Sequence, residues 1–123
     1  MAPEPVPPRI LTQAERDVLA LLLSADFEGA QELRSQLDHT QVVAVWAAGS
    51  PSVDLAVPGG IGKAQVADGE IPVGAEVHDP QGNYLGEITV WVTNGLLSAI
   101  EYSWVTDEPP TRLPDTAALR LVQ

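Results

Sequence analysis

Two glutamates and one tryptophan in the C-terminal third of the chain are the residues whose spacing best suits a binding site. Glu87 and Glu101 lie on the two strands of a predicted β-hairpin, and Trp91 lies on the first of them. With a three-residue turn, Glu87 falls directly opposite Glu101, and Trp91 shares their face of the sheet. Two facing carboxylates can share a proton, bind a cation or receive a basic side chain, and a nearby tryptophan can anchor a partner. The ordinary alternative is that both carboxylates are solvated or paired with an arginine of this chain.

The turn between these two strands allows two alignments. A two-residue Asn94-Gly95 turn places Ile88 opposite Glu101, whereas a three-residue turn with Gly95 left-handed places Ile88 opposite Ile100. Because a one-residue slip moves side chains to the other face, burial of a coherent apolar face should select the alignment. We therefore expect the three-residue turn, with the helices covering the apolar face and the two glutamates on the other.

The remaining residues with catalytic or ligating chemistry form no recognisable motif. His39 and His78 are the only histidines, each beside an aspartate, and the chain contains no cysteine. The glycine-rich segment 58–63 lacks both the glycine spacing of a phosphate-binding loop and the hydroxyl residue that would follow its lysine. The sequence therefore predicts no catalytic residue, no metal site and no cofactor, and an enzymatic role is the less favoured one.

The charge balance restricts the kinds of partner. Seventeen acidic residues face six basic ones among 123, for a formal net charge of −11. Nucleic acid and anionic membrane surfaces both require lysine and arginine clusters, so neither is an expected ligand. A basic protein partner fits this charge, and the ordinary alternative is that the charge keeps a small protein soluble.

One short apolar run could be mistaken for a targeting or membrane segment. Residues 18–23 are apolar, but acidic residues precede them and the run is too short to span a bilayer. It is typical of the buried face of a helix. We expect a cytoplasmic protein, with which the absence of cysteine is compatible.

The pattern of apolar and turn residues predicts the elements. Four prolines in residues 1–10 predict a disordered N-terminus, and the spacing of Thr12 and Glu15 predicts a capping box that begins a helix over 12–24. Asp26 is expected to cap a second helix over 27–37. Apolar, β-branched runs predict strands over 41–47, 52–57, 73–78, 84–92 and 96–105, and glycine and proline predict that most of 58–72 is loop.

These elements indicate one α+β domain over residues 11–123. We expect two N-terminal helices packed on one face of a four- to five-stranded antiparallel sheet.

Several pieces of the chain carry a resemblance. They are Gly49-Ser50-Pro51-Ser52-Val53-Asp54, Asp79-Pro80-Gln81-Gly82, Asn94 through Trp104, Pro109-Pro110 and Leu113-Pro114. Together they resemble a group of small bacterial proteins with a helical start and a β-rich remainder. The resemblance implies this architecture, and it implies no activity and no functional residue.

The function expected from these observations is a non-catalytic interaction module that binds a basic partner, by analogy with immunity proteins and inhibitors. The alternative is a small-molecule-binding protein or enzyme with a pocket near the 58–72 loop, using Glu87, Glu101 or His78. A homodimer joined through its sheet is a third possibility.

Overall fold

The computed structural model describes residues 2–59 and 61–123; Met1, in the predicted disordered N-terminus, and Gly60, in the glycine-rich segment, lie outside the described residues. The two helices are α1 (Gln13–Leu23) and α2 (Ala30–Ser35), and 3₁₀ turns follow at Leu37–His39 and Thr116–Ala118. The strands are β1 (Glu4–Ile10), β2 (Gln41–Val45), β3 (Val53–Ala56), β4 (Gly69–Glu70), β5 (Gly74–His78), β6 (Tyr84–Thr93), β7 (Leu96–Trp104) and β8 (Leu119–Val122).

All strands in the described residues belong to one antiparallel sheet in the order β1-β2-β3-β7-β6-β5-β8, with the short β4 pairing with β6 beside β5. The α+β class with an antiparallel sheet is thus confirmed, but the predicted count of four to five strands is too low. The extra strand β8 is only four residues long and contains neither proline nor glycine, whereas β1 and β4 come from segments rich in proline or glycine. Such segments have little intrinsic strand preference and acquire it from a neighbouring strand.

The proline-rich start of the chain is an edge strand and not the disordered segment that its composition predicts. Strand β1 pairs with β2, and the register shifts between Pro5 and Arg9. Proline is tolerated at a sheet edge because its missing N–H can face away from the neighbouring strand. Arg9 also forms two hydrogen bonds of 2.9 and 3.0 Å to the carboxylate of Glu15, which attaches β1 to the start of α1.

Helix α1 begins where the sequence predicts. The N–H of Glu15 donates to the Thr12 hydroxyl at 3.2 Å, and the Thr12 N–H donates to the Glu15 carboxylate at 2.8 Å, which completes the capping box. The Glu15 residue is only 5% exposed. Burial alone would raise the pKa of Glu15, but the hydrogen bonds from Arg9 and Thr12 outweigh it and hold that pKa below its usual value.

Helix α2 is shorter than predicted and is not capped by Asp26. It begins at Ala30, after Gly29 with a φ of +89°. A β-carbon at Gly29 would lie 2.7 Å from a methyl carbon of Val66. Tight packing against the 61–68 segment therefore requires glycine here and delays the start of the helix by one turn.

The β6–β7 turn is the two-residue one. Asn94 and Gly95 have φ values of +55° and +75°, and Val92 pairs with Leu97. Two successive positive φ values are what a type I′ turn needs, and Asn-Gly supplies them at low steric cost. The predicted three-residue turn is wrong.

A β-bulge follows the turn and changes the alignment again. The register shifts between Trp91 and Val92, where Ser98 is the extra residue on β7. Beyond the bulge Val90 pairs with Ile100 and Ile88 with Tyr102. The bulge keeps apolar side chains of both strands on one face despite the shorter turn, which a two-residue turn without a bulge would not achieve.

The helices cover the face of the sheet that carries Ile88, Val90 and Val92, as predicted. These residues and the apolar side of α1 belong to one buried cluster, together with Leu33 of α2. The cluster also includes Val42, Val53, Leu55, Ala75, Val77, Leu97, Ile100 and Tyr102. In the described part of the chain, the helices are too short to cross a bilayer.

A buried glutamine joins the helices to the β6–β7 turn. Gln36 is fully buried, and its amide nitrogen donates to the carbonyl oxygens of Gly62 and Gly95, each at 2.9 Å. Its amide oxygen accepts the Leu97 N–H at 3.0 Å. Because every bond ends on backbone, the side chain holds the 61–68 segment and the turn in place regardless of their side chains.

Candidate functional site

The candidate site is the face of the sheet opposite the helices, here called the open face. Side chains alternate along each strand, so the residues between the buried positions of β3, β5, β6 and β7 all point to this face. Its tryptophans and its acidic and basic side chains are Trp46, Asp54, Glu70, Glu76, His78, Glu87, Trp91, Glu101 and Arg120.

The structure places the three predicted site residues on this face, but in a different arrangement. Glu101 pairs with Thr89, and Glu87 pairs with Ser103 on β7. The expected direct Glu87–Glu101 pair is therefore wrong, and the two residues are diagonal neighbours across the strands. Diagonal positions are about 7–8 Å apart, so the two residues do not face each other directly.

Trp91 and Glu101 form a direct polar contact. The indole N–H of Trp91 donates to Glu101 Oε1 at 3.0 Å, and the Ser103 hydroxyl donates to Oε2 at 3.2 Å. Both donors are neutral, so they orient the Glu101 carboxylate without cancelling its charge. A carboxylate has about four lone-pair sites, so this one retains acceptor capacity for a ligand.

A second tryptophan–carboxylate contact lies on the same face. The indole N–H of Trp46 donates to Asp54 Oδ1 at 3.0 Å. Asp54 pairs with Ala99, which in turn pairs with Trp91, so both tryptophans belong to one stretch of the sheet. Trp46 and Asp54 were not predicted as site residues from the sequence; the alternation of apolar and polar residues in β3 was the only signal for the orientation of Asp54.

The other end of the open face contains an ion cluster. Glu76 Oε1 lies 3.0 Å from Nε2 of His78 and 2.5 Å from a guanidinium nitrogen of Arg120 on β8. The hydrogen bonds from His78 and then Arg120 lower the pKa of Glu76. Glu87 pairs with Glu76 across β5 and β6, so this is where like charges face each other, and Arg120 offsets one of them.

The open face therefore has a strong excess of negative charge. Five carboxylates lie on it, and among the described residues its basic side chains are Arg120 at the β8 edge and His78, both bonded to Glu76. Within residues 2–59 and 61–123, Glu87 and Glu101 belong to no ion pair, and no cluster of three potential metal ligands occurs. The arrangement can bind cationic groups and can offer two indole rings as contact surface.

The residues proposed for a small-molecule pocket do not converge. Glu87 lines a cavity of about 210 Å³ beside β4, and Glu101 lines a groove of about 610 Å³ at the end of β7. His78 lines a third cavity, of about 730 Å³, between α1 and the C-terminal segment. His39 is exposed after α2 and lies in none of these cavities.

The largest cavity contains polar groups that already serve the fold. The Asp79 carboxylate there accepts two backbone N–H groups and the Asn83 amide within the β5–β6 turn. The backbone N–H of Asn83, its side chain and other turn donors lower the pKa of Asp79. A carboxylate held by three hydrogen bonds within its own turn is a poor candidate for acid–base chemistry.

Comparisons of the chain with protein-family models, with curated proteins and with solved structures gave no match. Its function is therefore inferred from its own geometry.

Proposed function

We propose that the protein is a non-catalytic interaction module whose open face binds a basic protein partner. The observation that carries this proposal is the composition of the open face on the side that the helices leave uncovered. It has five carboxylates and two indole rings, and its basic side chains, Arg120 and His78, are both at the β5–β8 end and bonded to Glu76. Electrostatic complementarity at such a surface raises the association rate and selects basic partners over acidic ones. The tryptophans supply the apolar contact area that charge alone lacks.

The negative charge also argues for a different protein as partner over a second copy of this chain. Two open faces brought together would place like charges against each other, which is unfavourable. The role is similar in kind to that of an immunity protein or an inhibitor. The proposal places the protein in the cytoplasm and assigns it neither a nucleic-acid nor a membrane partner.

Binding of a deca-lysine peptide, followed by amide chemical shifts in NMR and by calorimetry, tests this function. We expect the shifts to map to β5, β6 and β7, and the affinity to fall as salt rises. In the double variant Glu87→Gln/Glu101→Gln, which keeps an acceptor for Trp91, binding should weaken several-fold.

The matched control is Asp26→Asn/Glu32→Gln, which removes the same charge at exposed positions near and on α2. This variant should weaken binding by less than twofold. Equal weakening in the two double variants, or shifts confined to the helical side, would show that the peptide responds only to net charge and would refute the open face as the binding surface.

A further inference from the structure

The groove at the end of β7 adjoins the open face and differs from it in chemistry. It has a volume of about 610 Å³ and lies between the β2–β3 connection and the segment that follows β7. Trp46, Trp104, Pro109 and Pro110 provide apolar walls, and Glu101 provides a carboxylate. Trp46 and Glu101 belong to the open face as well, so the two surfaces are continuous.

The groove exists because β7 is longer than its neighbour. Strand β3 begins at Val53, which pairs with Ile100, whereas β7 continues to Trp104. The Tyr102 N–H is satisfied by the Ser52 hydroxyl at 2.9 Å, and β3 does not extend beside Ser103 and Trp104. One side of this strand end is therefore free for an extended segment of another chain, the arrangement used in β-augmentation.

The groove is pre-organised for a planar cation. The Trp46 ring is fixed by its bond to Asp54, and the Glu101 carboxylate by its bonds to Trp91 and Ser103. Trp104 is 44% exposed, which is unusual for so large an apolar residue. A guanidinium group stacks on indole rings and also pairs with a carboxylate, which an ammonium group does less well.

We propose that this groove binds an arginine side chain, presented by an extended segment of the basic partner. The inference rests on the proposed function, because the partner's charge brings the segment to the open face next to the groove. Trp104 follows Tyr102 by two residues and lies on the helix side of β7, whereas Glu101 lies on the open face. The arginine therefore crosses the end of β7, with its stem against Trp104 and the prolines and its guanidinium group at Glu101. The groove thus supplies selectivity for arginine over lysine, and the open face supplies general attraction.

The test uses three blocked heptapeptides, Lys-Lys-Val-X-Val-Lys-Lys, in which X is arginine, lysine or citrulline, the neutral counterpart of arginine. Binding is measured by calorimetry, and NMR follows the Trp104 amide and indole signals. We expect the arginine peptide to bind several-fold more tightly than the other two and to shift the Trp104 signals. Trp104→Ala should weaken the arginine peptide about tenfold and leave deca-lysine within twofold.

Tyr84→Ala is the matched control, since Tyr84 is also 44% exposed and lies outside the groove. It should not change the affinity for the arginine peptide. Equal affinity for the arginine and citrulline peptides, or equal effects of the two substitutions, would overturn the arginine site. If deca-lysine still binds the open face in that case, the proposed function stands, whereas failure of deca-lysine to bind overturns both.

Discussion

The buried Gln36 side chain gives the most direct test of how the helices are held on the sheet. Gln36→Leu keeps the approximate volume of the side chain but removes its three hydrogen bonds. The carbonyl of Gly95 still accepts the Ala64 N–H at 2.9 Å, so it keeps one partner. The Leu97 N–H loses its partner in a buried position, and the part-buried Gly62 carbonyl becomes dependent on water.

The expected loss of stability follows from these two groups. A buried donor left without a partner costs about 1–3 kcal/mol, and the partly buried carbonyl costs less because water can reach it. We expect a total of about 2 kcal/mol, which for a chain of this length lowers the melting temperature by roughly 8 °C. Urea unfolding followed by tryptophan fluorescence measures this difference in the free energy of unfolding. The slope of that free energy against urea concentration should be the same as in the unsubstituted protein.

The matched control for this prediction is Gln31→Leu, at an exposed glutamine on α2, the helix that Gln36 directly follows. It should change stability by less than about 0.5 kcal/mol. The Leu97 amide provides a second measurement, because its hydrogen exchange should accelerate in Gln36→Leu and not in the control. Equal stability of the two variants together with unchanged Leu97 exchange would show that these bonds do not hold the turn.

Three other predictions concern the start of α1 and the β6–β7 turn. The pKa of Glu15 is lowered by Arg9 and Thr12 in the folded chain, so this carboxylate stabilises the fold above its usual pKa of 4.5, and that stability is lost as the pH falls through the lowered value. Urea unfolding between about pH 3 and pH 7 should therefore show a smaller loss of stability in acid for Glu15→Gln than for the unsubstituted protein. An identical loss in the two proteins would count against this role of Glu15. Thr12→Ala should cost about 1 kcal/mol in thermal unfolding, because the helix loses its cap; an unchanged melting temperature would argue for another start of α1. Gly95→Ala should lower the free energy of unfolding by more than about 1 kcal/mol, since the φ of Gly95 is +75° and a β-carbon would lie 2.6 Å from a backbone oxygen. Gly59→Ala is the control, because a β-carbon there meets open space, and equal losses of stability in the two variants would contradict the turn geometry.

The parts of the fold that local chemistry determines could be predicted from the sequence. The Thr12–Glu15 spacing located the start of α1, because both partners of the capping box lie within one turn of helix. The five longer, β-branched strands were located to within two residues at every boundary, because their apolar pattern is continuous.

The parts that depend on distant neighbours could not be predicted. Strand β1 contains three prolines and becomes a strand only because β2 and Glu15 offer it partners. The bulge at Ser98 allows the two-residue Asn94-Gly95 turn and the buried apolar face to occur together. Neither the turn residues nor the apolar pattern alone predicts it. The shared face of Trp91 and Glu101 followed from strand alternation, whereas the approach of Asp54 required β3 to lie beside β7, which is far away in the sequence.

Strand β1 also determines how the chain can be shortened for expression. Residues 1–10 resemble a dispensable tail, yet residues 4–10 cover the outer edge of β2, whose sequence Gln-Val-Val-Ala-Val is rich in β-branched residues. Truncation before Leu11 would uncover that edge for pairing with other copies and favour aggregation. It would also leave the buried carboxylate of Glu15 without its counter-ion. The proline-rich strand β1 thus blocks the edge of β2 from pairing with strands of other chains.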